Sequence, residues 1–264
     1  MVKFGGNALA ANEESIFREI AELRLEGGRV VAVHGGGPEI DAALALRGLG
    51  ARRIDGLRVT DAATLEITEA VLCGTINKRL VRIARACGLS AVGVSGQDGD
   101  LLVARSFDAD LGYVGEIAAV NSHLLQTMLA GGYLPIVAPL AVGVDPRCAF
   151  NVNADTSAGA IAAALRADAF IMVTNVSRVM ANPSDPATAV QRFSLDEAKA
   201  FASSSGCQNS MLPKMQAAIR ALDEGVKRVY ICDAKPNALK AALRGDATVI
   251  ARNRDQVIDT RRRA

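Results

Sequence analysis

A lysine stands two residues before a pair of glycines in the opening stretch Met1-Val2-Lys3-Phe4-Gly5-Gly6-Asn7. A second apolar run, Arg29-Val30-Val31-Ala32-Val33, leads into His34-Gly35-Gly36-Gly37-Pro38-Glu39. Two neighbouring strands that end in glycine and pass into helices bring bare backbone N–H groups side by side. With a lysine beside them, such groups make a seat for phosphate. An isolated Lys-x-Gly-Gly is more often an ordinary strand end and turn, but the second glycine loop shifts that balance. Three successive glycines carry an entropic cost that left-handed backbone or close approach of a ligand would explain. Pro38 suits the first turn of a helix. No Gly-Lys dipeptide occurs in the chain, so this is not a Walker A loop, and neither glycine run has the Gly-x-Gly-x-x-Gly spacing.

Other residues extend the same chemistry. In Asp55-Gly56-Leu57-Arg58-Val59-Thr60-Asp61, the Arg58 guanidinium offers a bidentate fork to a carboxylate, although a plain loop ending in an aspartate cap would look similar. Asn151-Val152-Asn153-Ala154-Asp155-Thr156 precedes a helix of small residues. Capping explains part of it, yet two Asn and one Asp exceed what a cap requires. Asp155 could orient lysines and Asn151 could hold a polar group of a substrate. Lys214, in Met211-Leu212-Pro213-Lys214, falls in the first turns of a helix, where a cation opposes the helix dipole unless an anion lies nearby. Two lysines, two glycine loops and a central aspartate fit phosphoryl transfer by positioning and charge neutralisation. Gly93-Val94-Ser95-Gly96-Gln97 narrowly misses the nucleophile-elbow pattern, and only two histidines are available as a base.

The elements that must position these residues alternate along the chain. Short apolar runs at 1–4, 29–33, 90–94, 134–138, 168–174 and 227–232 read as strands buried on both faces. Helical patterns cover 13–26, 38–47, 61–86, 122–130, 154–166, 194–205, 211–225 and 236–243. Asn12, Asp61 and Ser194 stand where N-caps are expected. The alternation predicts an α/β fold, a three-layer αβα sandwich with a mostly parallel central sheet. Short alternating pieces within 99–121 predict antiparallel hairpins inserted on that sheet, with a further hairpin through 141–151. A soft boundary near residue 150 divides an N-terminal lobe, 1–150, from a C-terminal lobe, 151–264. The short connection implies that both share one sheet.

Composition narrows the partners. Thirty basic and 28 acidic residues leave a net charge of +2, without the basic excess of a nucleic-acid binder. Aromatic residues make up 4% of the chain and Trp is absent, which disfavours a base-stacking platform. Five scattered cysteines without a Cys-x-x-Cys pair and only two histidines predict no metal site of the Cys/His type. They also fit reduced thiols and a cytoplasmic setting. No apolar run reaches ~18 residues, so neither a membrane span nor a signal peptide is expected.

With these motifs in view, the chain resembles the amino acid kinase family over about residues 1 to 251. The matching pieces are Lys3-Phe4-Gly5-Gly6-Asn7-Ala8, His34-Gly35-Gly36-Gly37-Pro38, Gly56-Leu57-Arg58-Val59-Thr60-Asp61, Asn77-Lys78, Asn151-Val152-Asn153-Ala154-Asp155 and Met211-Leu212-Pro213-Lys214. The Gly-Leu-Arg-Val-Thr-Asp piece points to the acetylglutamate branch. The resemblance implies that the 1–150 lobe binds an acyl amino acid and dimerises, and that the 151–264 lobe binds nucleotide. It implies attack of the side-chain carboxylate of N-acetyl-L-glutamate on the γ-phosphate of ATP, with Mg²⁺ held mainly by the nucleotide phosphates. Lys3 and Lys214 would neutralise the transferring group, N–H groups of Gly6 and Gly37 would hold its oxygens, and Asp155 would position both lysines. Gly36, Gly37, Arg58 and Asn151 would hold the acyl amino acid. Asn175, Val176, Ser177, Arg178, Val179 and Met180 would contact nucleotide, with Gly206, Cys207 and Gln208. In that half the family's usual aspartate is replaced by Asn175, and a usual glycine by Arg178. A kinase for a related substrate such as acetylaminoadipate, or a nucleotide-impaired regulatory paralogue, are the other readings. The arginine-inhibited members carry a helix before the first strand. With the strand beginning at residue 1, a homodimer without arginine feedback is expected.

Overall fold

Val, Ile and Ala runs too short for helices become the buried strands at the centre of the molecule. The computed structural model describes residues 1–207 and 210–253, and of residues 6–11 the backbone only. The first part of the chain forms β1 (Val2–Phe4), α1 (Gly6–Leu25), β2 (Ala32–His34), α2 (Gly37–Leu46), β3 (Arg53–Ile54), β4 (Leu57–Arg58), α3 (Ala62–Glu69), α4 (Asn77–Ala86) and β5 (Ala91–Ser95). Next come β6 (Leu102–Ser106), β7 (Gly115–Val120), α5 (His123–Ala130), β8 (Leu134–Ala138), β9 (Leu140–Gly143), β10 (Ala149–Asn151), α6 (Ala154–Ala164) and β11 (Ala169–Thr174). The remainder is β12 (Val179–Met180), β13 (Ala189–Val190), β14 (Arg192–Ser194), α7 (Leu195–Ala202), α8 (Met211–Asp223), β15 (Arg228–Asp233), α9 (Ala238–Leu243) and β16 (Thr248–Ala251).

The main sheet has the order β14-β16-β15-β11-β1-β2-β8-β5. Its six strands from β15 to β5 are parallel. β16 runs antiparallel to β15, and β14 runs parallel to β16. Strand alternation divides the core between two helical layers. Val2, Phe4, Ile171 and Val173 pack with residues of α1 to α4 and α9. Val31, Val33, Phe170 and Met172 pack with residues of α5 to α8. Lys3 lies between Val2 and Phe4 on the strand and faces the second layer, where α6 and α8 begin. The αβα architecture and the six parallel strands agree with the sequence expectation.

Four details differ from it. Helix α1 starts at Gly6, straight after β1, and not at residue 13. The Ala8-Leu9-Ala10-Ala11 stretch favours helix, and Asn12 caps nothing: its side-chain amide donates to Ala234 O at 2.6 Å. The helical run 61–86 is capped by Asp61, which accepts from Thr64 N at 2.7 Å, but Ala70–Ile76 forms a π-helical stretch between α3 and α4. The hairpins β6/β7 and β9/β10 leave the main sheet and form their own four-stranded sheet, β10-β9-β6-β7. Pro139, which has no N–H to donate, separates β8 from β9 and turns the chain out. Finally, β14 and β16 extend the main sheet where no strand was expected.

Candidate active site

β1 and β2 are paired in parallel register, so the chain leaves both at the same edge of the sheet. Gly5 is the N-cap of α1 and Gly36 the N-cap of α2. The first N–H groups of two helices, unpaired within their own helices, therefore open toward one place. At Gly36 the backbone is extended, φ 177°, so conformation does not demand glycine. Space does: a Cβ would stand 2.3 Å from Ile76 Cδ1 and 2.8 Å from Leu72 Cδ2. Both side chains come from the π-helical stretch. A Cβ on Gly37 would meet nothing within 4 Å.

Beneath these loops lie three buried charges. Asp155 is the second residue of α6, and its backbone N–H is capped by the Asn153 side chain at 2.8 Å. Lys3 Nζ is 2.7 Å from Asp155 Oδ1, and Lys214 Nζ is 3.1 Å from Asp155 Oδ2. Lys214 also donates to Ser210 O at 3.1 Å, which accounts for an ammonium in the first turn of α8. Burial alone would push the Asp155 carboxyl up, but the two lysines outweigh it and hold it below the usual range. Burial pushes the Lys3 ammonium down, opposed by Asp155 and aided by Lys214. One carboxylate thus aligns two ammonium groups and leaves a net positive charge out of bulk water, which is the electrostatic demand of an anion site.

At the other end of the cleft Arg58, 8% exposed, donates from Nη1 to Asp41 Oδ1 at 2.5 Å and from Nη2 to Gly37 O at 3.1 Å. Asp41 Oδ2 accepts from Arg53 Nη2 at 2.6 Å. Asn151 donates from Nδ2 to Thr60 Oγ1 at 3.2 Å. Lys3, Gly36, Gly37, Arg58, Asn151, Asp155, Lys214 and Asn175 together line one cleft of 540 Å³. The cleft lies beyond the carboxyl ends of the parallel strands, where open α/β sheets bind ligands.

The model of the amino acid kinase family matches residues 1–233. The chain belongs to the amino acid kinase family. It is 41% identical over 239 residues to an acetylglutamate kinase of Thermoanaerobacter sp. (strain X514), covering 89% of this chain and 80% of that one. Among solved structures it is similar to smu.665 of Streptococcus mutans, with a TM-score of 0.82 and 25% identity over 96% of this chain and 98% of that one. The carbamate kinase of Giardia lamblia bound to AMP-PNP shares the fold, with a TM-score of 0.71 and 16% identity over 96% and 97% of the two chains.

The structure also places the other residues expected from the amino acid kinase resemblance. Gly6 is the first residue of α1. Val176 is partly exposed and Ser177 exposed. Arg178 is paired with Asp246 at 3.0 Å. Val179 is buried, and its N–H donates to Thr248 Oγ1 at 2.9 Å. Met180 pairs with Ala189 in the small β12/β13 ribbon. Gly206 packs where a Cβ would stand 2.5 Å from Ala181 O. The Cys207 side chain is buried in the second core layer, and Gln208 lies outside the described residues. Sequence reasoning missed Asp41 and Arg53. Asp41 sits one turn after Gly37 in an amphipathic pattern, where an aspartate reads as solvent-facing. Among the described residues, no group of three or more His, Cys, Asp or Glu side chains is arranged to hold a metal ion. No described helix is long and apolar enough to cross a membrane.

Proposed function

We propose that the protein transfers the γ-phosphoryl group of ATP to the side-chain carboxylate of N-acetyl-L-glutamate, forming an acyl phosphate. The observation that carries this reading is the Lys3–Asp155–Lys214 triad beneath two glycine loops. It supplies fixed positive charge where a phosphoryl group passes between two anions. Kinship at about 40% identity with acetylglutamate kinases supports the choice of acceptor. Lys3 and Lys214 neutralise the equatorial oxygens, the N–H groups of Gly6 and Gly37 receive them, and Asp155 holds both lysines in place. Arg58 and Asn151 grip the α-carboxylate and acetamido group, with Gly36 and Gly37 shaping that end of the cleft.

The acceptor belongs mainly to the 1–150 half, with Asn151 reaching it from the other, and the nucleotide to the 151–264 half, the latter contacting 175–180 and 206–208. ATP, when bound, supplies the phosphoryl group. The cleft fits its phosphate chain, offering cations and free N–H groups. It offers Mg²⁺ no spare carboxylate, because Asp155 is held by two lysines and Asp41 by two arginines. The metal is therefore assigned to the nucleotide phosphates, and no step is derived through it. A cytoplasmic homodimer completes the reading, and light scattering of the purified protein tests the dimer.

The decisive experiment traps the acyl phosphate with hydroxylamine. Acetylglutamate, acetylaminoadipate and acetylaspartate are each supplied with ATP and Mg²⁺. Hydroxamate from acetylglutamate above the other two is the expected result. Folded protein that turns over none of them would overturn the assignment.

A further inference from the structure

Asn77 begins α4 yet points inward, with 1% of its surface exposed. Its side-chain nitrogen lies 2.9 Å from Ile136 O, 3.3 Å from Val94 O and 3.2 Å from His34 Nε2. Backbone carbonyls only accept, so the amide nitrogen and not its oxygen must face them. His34 Nε2 meets the same NH₂ group and must therefore accept. The ring proton is left on Nδ1, which lies 3.0 Å from Gly35 O and donates to it. The ring is fully buried, and burial pushes the imidazole down to about 4, against the Gly35 bond and with help from Arg79 and Lys78. It is neutral at ordinary pH.

The peptide between Gly35 and Gly36 is planar and trans, so its C=O and N–H point in opposite directions. A Gly35 carbonyl held on the buried ring turns the Gly36 N–H the other way, to the side where the loop lines the cleft. The Gly35 N–H is already given to Phe4 O at 3.0 Å. The Gly36 carbonyl accepts from Ile40 N at 2.9 Å, so α2 itself aims the next N–H, that of Gly37. Asn77 is in turn seated by Gly93, where any Cβ would stand 1.9 Å from Asn77 Oδ1. The π-helical stretch just before Asn77 also presses Leu72 and Ile76 against Gly36.

We infer that Asn77 is a positioning residue: by fixing the tautomer of His34 it sets the Gly35–Gly36 peptide and aims the Gly36 N–H into the anion seat. The rate arm of the test rests on the kinase reading above, but the spectroscopic arm does not. The chain has only two histidines, and His123 is exposed, so ¹⁵N-histidine NMR resolves both rings. His34 is expected as the neutral Nδ1–H tautomer, unchanged from mildly alkaline to mildly acidic pH. Asn77→Asp, which removes the amide N–H groups and places a carboxyl oxygen against Nε2, leaves Nε2 protonated, as the Nε2–H tautomer or as the imidazolium. In hydroxamate assays this variant loses ~10-fold or more in kcat, a fraction of what deleting a transition-state donor costs, with little change in the acceptor KM.

His34→Asn keeps a donor near the Nδ1 position and retains most of kcat, whereas His34→Gln places its amide near Nε2 and does not. A purely structural role would lower Tm in both without separating their rates. An Nε2–H tautomer in the unmodified protein would overturn the inference even if no variant folds. Equal kcat for His34→Asn and His34→Gln would overturn it too. Absence of turnover in the unmodified protein would overturn the kinase reading and leave the tautomer to decide this one.

Discussion

Asp155 bonds to Lys3 from the first strand and, 59 residues further along the chain, to Lys214 from α8. Truncating either Lys3 or Lys214 to Ala should cost ~10² to 10³ in kcat, the scale of a lost transition-state donor, measured by hydroxamate formation in protein of unchanged circular dichroism. Asp41 predicts a different signature. It holds Arg58 and Arg53 at the acceptor end and touches no lysine, so Asp41→Asn should raise the acceptor KM ~10-fold by loosening Arg58 while kcat stays near normal. Equal losses in both parameters would show Asp41 acting on the transfer step instead. The types of the triad residues were legible in the chain, since lysines beside glycine loops and an extra aspartate invite phosphate chemistry. Their meeting was not, because no local pattern joins residues 3, 155 and 214. Asp41 was illegible altogether, since its role depends on where the β3/β4 hairpin folds back.

At the scale of elements, polar caps carry consequences for stability. Ser194 and Glu197 form the capping box of α7, readable from their spacing. Glu19, on α1, accepts from the backbone N–H groups of Leu239 and Lys240 at 2.9 and 3.0 Å and so ties α1 to the start of α9. No short motif announces a cap donated from 220 residues away. Glu19→Ala should lower unfolding free energy by ~1 to 2 kcal/mol, read from urea titration. Gly36→Ala is a test of the loop–helix contact. Its methyl enters the space of Ile76 and Leu72, so it should cut kcat, and shortening Leu72 in the double variant Gly36→Ala/Leu72→Ala should restore part of it. The π-helical stretch that makes this contact was hidden, since Ala70–Ile76 has the apolar spacing of any helix. Strands β14 and β16 escaped notice for a simpler reason: three and four residues at one edge of the sheet carry too little pattern.

Over the whole molecule the two halves are not independent. β1 lies between β2 and β11, so the sheet crosses residue 150 without a break, and unfolding should be a single cooperative transition by both fluorescence and circular dichroism. Acid should erode that transition early. His34 titrates near 6.5 when unfolded but at about 4 when folded. Its contribution is complete above pH ~6.5 and is lost as pH falls toward the folded value, by ~3 kcal/mol at full extent. Urea midpoints measured from neutral to mildly acidic pH should show this slope, and His34→Asn should flatten it. Asp155, held low by its lysines, gives way only in stronger acid, below its ordinary range.

The triad at the cleft floor also bears on ordinary handling of the protein. Two ammonium groups share a single carboxylate, which leaves one countercharge missing in a place shielded from water. Tetrahedral oxyanions of small size match that deficit. Sulfate and inorganic phosphate buffers should therefore act as competitors of the nucleotide, and rates taken in chloride should exceed those taken in either.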